Sequence, residues 1–137
     1  TYERKGNFFD AILNLEKALE IYKANSDSID IGTTYGNIGL LYTSMNELKK
    51  AIYFHKKEYE FISKNEEYLS RHYVNIGLTY MNNKDYDSAH HAYLNSLNIK
   101  EKIYDKYGLG VTFSLIADNF KLQNKLDSAI VYYNKAK

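Results

Sequence analysis

Alanine recurs at Ala11, Ala51, Ala89 and Ala129, at intervals of 40, 38 and 40 residues. The last three each follow a small residue by 12 positions: Gly39, Gly77 and Ala117. The frame around those small residues repeats as well. It reads Tyr35-x-x-Ile38-Gly39-x-x-Tyr42, then Tyr73-x-x-Ile76-Gly77-x-x-Tyr80, then Phe113-x-x-Ile116-Ala117-x-x-Phe120. A period of this length marks a stacked helical repeat, in which each unit buries its apolar face only against its neighbours. Geometry explains the residue types. Two antiparallel helices approach most closely where both carry small side chains. The flanking Tyr, Ile and Phe stand at i, i+3 and i+7, one face of a helix, and fill the volume around the contact.

Four residues after the later alanines stand His55, Tyr93 and Tyr133, and Leu15 follows Ala11 in the same frame. The whole pattern resembles the tetratricopeptide repeat: aromatic, x-x-Leu-Gly-x-x-Tyr, then Ala, x-x-x, aromatic. The resemblance covers nearly the whole chain. It implies an all-α, right-handed α-α superhelix of about three and a half repeats. The implied divisions are a partial repeat at 1–28 and repeats at 29–66, 67–106 and 107–137. The usual repeat is about 34 residues long and ends in proline, whereas this chain has no proline and a longer period. The extra residues fall in Ala18 to Gly32, Glu58 to Ser70 and Ser96 to Gly110, and helices one turn longer accommodate them. In this the chain is similar to a long-repeat branch found in bacterial peptide-receptor regulators, repeat-bearing sensor kinases and animal spindle-orientation adaptors.

The local signals predict seven helices and no strand. Gly6-Asn7-Phe8 resembles the turn before a second repeat helix, which predicts a first helix from Phe8 to about Asn25, without its partner. The second runs from about Asp30 to Ser44. Asn46 is the expected cap of the third, which reaches Ser63 or Lys64. The fourth spans about Glu66 to Met81. Asp85 is the expected cap of the fifth, which runs to about Tyr104, and Gly108 marks the break. The sixth spans about Leu109 to Gln123, and the seventh begins near Leu126.

Several function classes find no support. The 18 basic residues balance 17 acidic ones, so there is no field to attract a nucleic-acid backbone. No run of 18 apolar residues occurs, so no segment is expected to insert in a membrane. The start carries no signal-peptide pattern. Cysteine is absent, which excludes a disulfide framework and thiol chemistry but leaves the compartment open between cytoplasm and a periplasmic sensor segment. The chain opens on Thr1 and enters in mid-repeat, as a piece of a longer protein would. His55, His72, His90 and His91 form no H-E-x-x-H spacing, and adjacent His90 and His91 point about 100° apart on a helix. No metal, cofactor or catalytic residue is expected. His55 reads as a packed core residue, and Glu58, Glu60 and Glu66-Glu67 read as solvated helix-face charges.

The remaining candidate is a concave groove, which the resemblance lines with the first helices of successive repeats. Its positions are Thr33, Gly36, Asn37, Leu40 and Thr43 on the second helix and Arg71, Val74, Asn75, Leu78 and Asn82 on the fourth. On the sixth they are Val111, Ser114, Leu115, Asp118 and Lys121. Asn37 and Asn75 occupy identical frames 38 residues apart. A side-chain amide both donates and accepts, so two in line can hold a peptide backbone without reading its sequence. The alternative is that they bond within their own solenoid. Arg71, one of two arginines with Arg4, is the best anion anchor of the groove, or else a solvent-facing charge. Asn37 and Asn75 match the chaperone-tail clamp of similar cochaperones, but its two lysine positions and third basic position hold Thr33, Val111 and Leu115, which argues against an acidic chaperone tail. Expected peptide-binding residues are thus Thr33, Asn37, Arg71, Asn75, Leu78, Asn82 and Asp118, and the expected partner is a protein or peptide. Self-association as a homodimer is the alternative, through apolar edges at Ile12/Leu15/Leu19 and Ile130/Tyr133.

Overall fold

The computed structural model describes residues 2–25 and 27–137, with side chains from residue 6 onward. The helices are α1 (Tyr2–Ala24), α2 (Ser28–Ser44), α3 (Leu48–Ile62), α4 (Glu66–Asn82), α5 (Tyr86–Lys102), α6 (Lys106–Leu122) and α7 (Leu126–Ala136). No strand occurs among the described residues. The most extensive packing joins α2 to α3, α4 to α5 and α6 to α7, and smaller contacts of α1 on α2, α3 on α4 and α5 on α6 string these pairs together. The fold is an all-α solenoid of antiparallel helix pairs.

The small residues allow the pairs to close. Ala51 and Ala89 are fully buried and Ala129 nearly so. A Cβ placed on Gly39 would lie 2.7 Å from His55 Cε1, and one on Gly77 would lie 2.4 Å from Tyr93 Cε1. His55 and Tyr93, 38 residues apart, are both completely buried. The glycine on one helix thus receives the ring on the next, as the sequence frame predicts. Ala89, Tyr93, Leu97 and Ile116 form the apolar core where α5 meets α6, with Phe113 and Phe120 against it.

Four helix ends share one backbone device. Asn46, Lys84, Tyr104 and Asn124 have φ of 60°, 63°, 58° and 59°. In each case the next residue's N–H reaches back to a carbonyl of the preceding helix: Glu47 to Tyr42 at 2.9 Å, Asp85 to Tyr80 at 2.9 Å, Asp105 to Lys100 at 2.9 Å, Lys125 to Phe120 at 3.0 Å. This is the Schellman ending, whose left-handed residue is normally glycine. Here it never is. The left-handed region costs an L-residue roughly 1–2 kcal/mol, so exposed Lys84 carries a removable strain. Lys84→Gly is expected to raise stability by about 1 kcal/mol, read as a higher urea midpoint, while Lys84→Ala gains nothing.

Some expectations need correction. α1 runs straight through Gly6-Asn7-Phe8, so no turn forms there. Gly6 has no positive φ, and its dipeptide resembles a turn by composition only. Asn46 does not cap α3. It is the left-handed residue of the ending above, and Glu47 holds the cap position without a side-chain bond. Gly108 is no break. It lies in the first turn of α6, where its N–H donates to the capping Asp105 Oδ1 at 2.8 Å, and the turn is made three to four residues earlier by Tyr104-Asp105. Asp85 caps α5 as expected, accepting from Ser88 N at 3.2 Å. The apolar edge expected on the first helix is largely covered: Ile12 and Leu19 are buried.

Candidate functional site

The inner face of the solenoid holds a half-open cavity of about 380 Å³. α2 contributes Thr33, Asn37 and Leu40 to its wall. From α4 come Tyr68, Arg71, Val74 and Asn75, and from α6 Tyr107, Val111 and Thr112. The second helices of the pairs reach it too, through Glu58 and Ile62 of α3 and Lys100 of α5. The first helices form this wall because the helical period turns one face of each toward it, while the aromatic frame faces the partner helix.

Thr33, Asn37, Arg71 and Asn75 therefore share one cavity. Asn37 is exposed. Asn75 is half-buried and donates from Nδ2 to Glu58 Oε1 at 3.3 Å. Arg71 is exposed, pairs with Glu67 Oε1 at 3.2 Å and lies 5.3 Å from the centroid of the Tyr68 ring. An exposed i,i+4 pair is worth only a few tenths of a kcal/mol, so the guanidinium can leave Glu67 at small cost. The other three expected residues do not line this cavity. Asn82 stitches α4 to the end of α2, donating to the Thr43 carbonyl at 3.0 Å and to Asn46 Oδ1 at 2.9 Å. Asp118 accepts from the Tyr133 hydroxyl. Leu78 is half-buried elsewhere on α4.

Behind the wall lies a buried polar cluster that sequence reasoning missed. Glu58 is only 5% exposed, not a solvated charge. Its Oε2 accepts from His72 Nδ1 at 2.9 Å and His55 Nδ1 at 3.3 Å. His55 Nε2 lies 2.9 Å from the Thr79 hydroxyl, which lies 2.7 Å from that of Thr43. Burial pushes the Glu58 carboxyl up, but the hydrogen bonds and charges of the two histidines outweigh it and hold the group below its ordinary range. Gly36 makes the room: a Cβ there would lie 2.4 Å from Glu58 Oε1. That glycine was the one available signal. Gly36 and Thr43, expected in the groove, instead serve this cluster. Among the described residues, no group of histidines and carboxylates could hold a metal ion.

A family model described as Tetratricopeptide repeat matches residues 1–64 and 68–137. The chain belongs to the tetratricopeptide repeat family. Such repeats are scaffolds that mediate contacts between proteins. Among solved structures, the crystal structure of BtubC (BKLC) from P. vanneervenii superposes with a TM-score of 0.79 at 21% identity. The match covers 98% of this chain and 57% of that one, so this tetratricopeptide repeat chain spans little more than half the length of that neighbour. At that identity the likeness is one of fold. No curated protein matches the chain.

Proposed function

We propose that this tetratricopeptide repeat chain is a non-catalytic peptide-binding scaffold, which holds an extended or helical segment of a partner protein in its concave groove. One observation carries the reading. Asn37 and Asn75, equivalent residues of successive repeats, stand on the wall of the same cavity. Each brings an amide able to donate and accept. Asn37 has no side-chain partner among the described residues, and the single bond of Asn75 to Glu58 leaves its carbonyl oxygen free to accept. Thr33 and Leu40 supply a hydroxyl and an apolar contact beside them.

The test is a peptide-array selection followed by calorimetry on the parent and Asn37→Ala/Asn75→Ala chains. Each lost hydrogen bond is worth about 0.5–1.5 kcal/mol, so the double change is expected to weaken a selected peptide by about tenfold to a hundredfold. Asn37 is exposed and its loss should leave the fold intact, while Asn75→Ala removes one long hydrogen bond to Glu58, a change of about 0.5–1.5 kcal/mol that a thermal melt reads separately from binding. If selected peptides bind the double variant as tightly as the parent, the groove reading is wrong.

A further inference from the structure

Lys100 is the one lysine counted among the buried polar residues of the described chain, with 7% exposure. It stands in the last turn of α5 and lines the groove cavity. Gly108 leaves room for both the lysine and its partner, since a Cβ there would lie 2.0 Å from Asp105 Oδ2 and 2.6 Å from Lys100 Nζ. An ammonium has three donors. Its one acceptor among the described residues is Asp105 Oδ2, at a long 3.4 Å. That carboxylate is shared, for its Oδ1 accepts from Gly108 N at 2.8 Å. A buried charge with unused donors beside open space is costly unless something else completes its shell.

Arg71 stands on the same cavity wall. The Asp105 carboxyl is held below its usual range first by the Gly108 N–H, then by the charges of Lys100 and Arg71. Both cations therefore act on one small region. Asp105 is one carboxylate against two cations. The partner of Arg71, Glu67, is exposed on the surface, with a side chain 62% accessible. Glu58, the other acid of the cavity wall, is occupied by His55, His72 and Asn75.

We propose that Lys100 and Arg71 together form an anion subsite of the groove, which selects partner segments carrying an acidic side chain. This rests on the groove reading above and adds what the asparagines cannot supply: a preference for one kind of side chain. Lys100 gives a fixed, desolvated charge, and Arg71 gives a mobile planar fork that closes over the carboxylate. Tyr107, 84% exposed at the same cavity, offers an aromatic surface to the rest of the segment.

The experiment titrates the full chain with N-acetyl-glutamate amide and with its neutral isostere N-acetyl-glutamine amide at matched ionic strength. The backbone amides of Asp105 and Gly108 are followed by NMR. The acid is expected to shift them saturably and the amide is not. Lys100→Met should abolish the response, and Arg71→Ala should weaken it several-fold. Arg71 is exposed, so its variant keeps the fold and carries the test even if Lys100→Met does not. An equal response to the two compounds, no saturable response, or a response unchanged in both variants overturns the proposal. Tighter binding of inorganic phosphate than of the acid overturns the assignment to a carboxylate. Failure here is separable from failure of the groove. Array peptides can depend on Asn37 and Asn75 yet show no preference for Glu over Gln, or the acid can bind through Lys100 while the asparagine changes do nothing.

Discussion

Gly77→Leu is expected to cost about 3 kcal/mol or more, and so to remove a large part of the stability of a chain this size. The added Cβ alone would come within 2.4, 2.7 and 2.9 Å of three ring carbons of Tyr93. That ring is completely buried within the Ala89–Leu97–Ile116 core, so it has nowhere to swing. Relief requires α4 and α5 to separate, which exposes the apolar face of both. A urea titration reads the loss. Gly77→Ala should already be destabilising, because the first atom makes the clash. Gly6→Ala is the control: nothing lies within 4 Å of a Cβ there, and in a helix it should gain up to about 1 kcal/mol. An unchanged midpoint for Gly77→Leu would sink the proposed register of glycine into ring.

Glu58→Ala should be nearly as damaging. It leaves the Nδ1 groups of His55 and His72, both buried, and the Asn75 amide without their acceptor. Removing one member of a buried charged cluster costs about 3–5 kcal/mol. The loss should depend on pH. The folded-state value of the Glu58 carboxyl lies below its ordinary 4.5. Its contribution is therefore complete above that value and fades as pH falls through the lower folded one. The parent should lose stability steeply in acid over that window, and the variant should show a shallower slope there. A second comparison isolates the packing. Gly36→Ala should destabilise the parent, where its Cβ meets Glu58 Oε1, but be tolerated beside Glu58→Ala, which vacates that space. Additive losses for the pair would mean that Gly36 does not exist for Glu58.

The sequence made the pairing of helices legible because close approach demands small residues, and these recur at Gly39, Gly77 and Ala117 with no competing explanation. Glu58 was illegible for the opposite reason. It sits in Lys56-Lys57-Glu58-Tyr59-Glu60, a run that resembles a wet helix face, and the equivalent position one repeat later is Ser96. A charge used once leaves no period. Asn46 misled because asparagine suits both a helix cap and a left-handed residue, and only the path of the chain decides between them. Gly108 misled because its glycine makes room for side chains, the capping Asp105 carboxylate first and Lys100 beside it, rather than for a turn. In the groove, the frame located Thr33, Asn37, Arg71 and Asn75 on one cavity. It could not foresee that Asn82 and Asp118 spend their polar atoms on neighbours within the solenoid.

The two joints of the solenoid differ in kind. From α2 and α3 to α4 run hydrogen bonds between Glu58 and His72, His55 and Thr79, Thr43 and Thr79, and Asn82 and the Thr43 carbonyl. From α5 to α6 the contact is mainly the apolar cluster of Tyr93, Leu97 and Ile116, with a bond from Asn119 to the Tyr86 carbonyl at 2.9 Å and the long one from Lys100 to the capping Asp105 at 3.4 Å. Hydrogen bonds fix lengths and angles, whereas apolar burial is indifferent to direction as long as area is kept. The first joint is therefore set mainly by directional bonds and the second mainly by buried area. The two asparagines, on α2 and α4, both stand on the side set by directional bonds, whereas the α6 wall of the cavity joins them across the apolar contact.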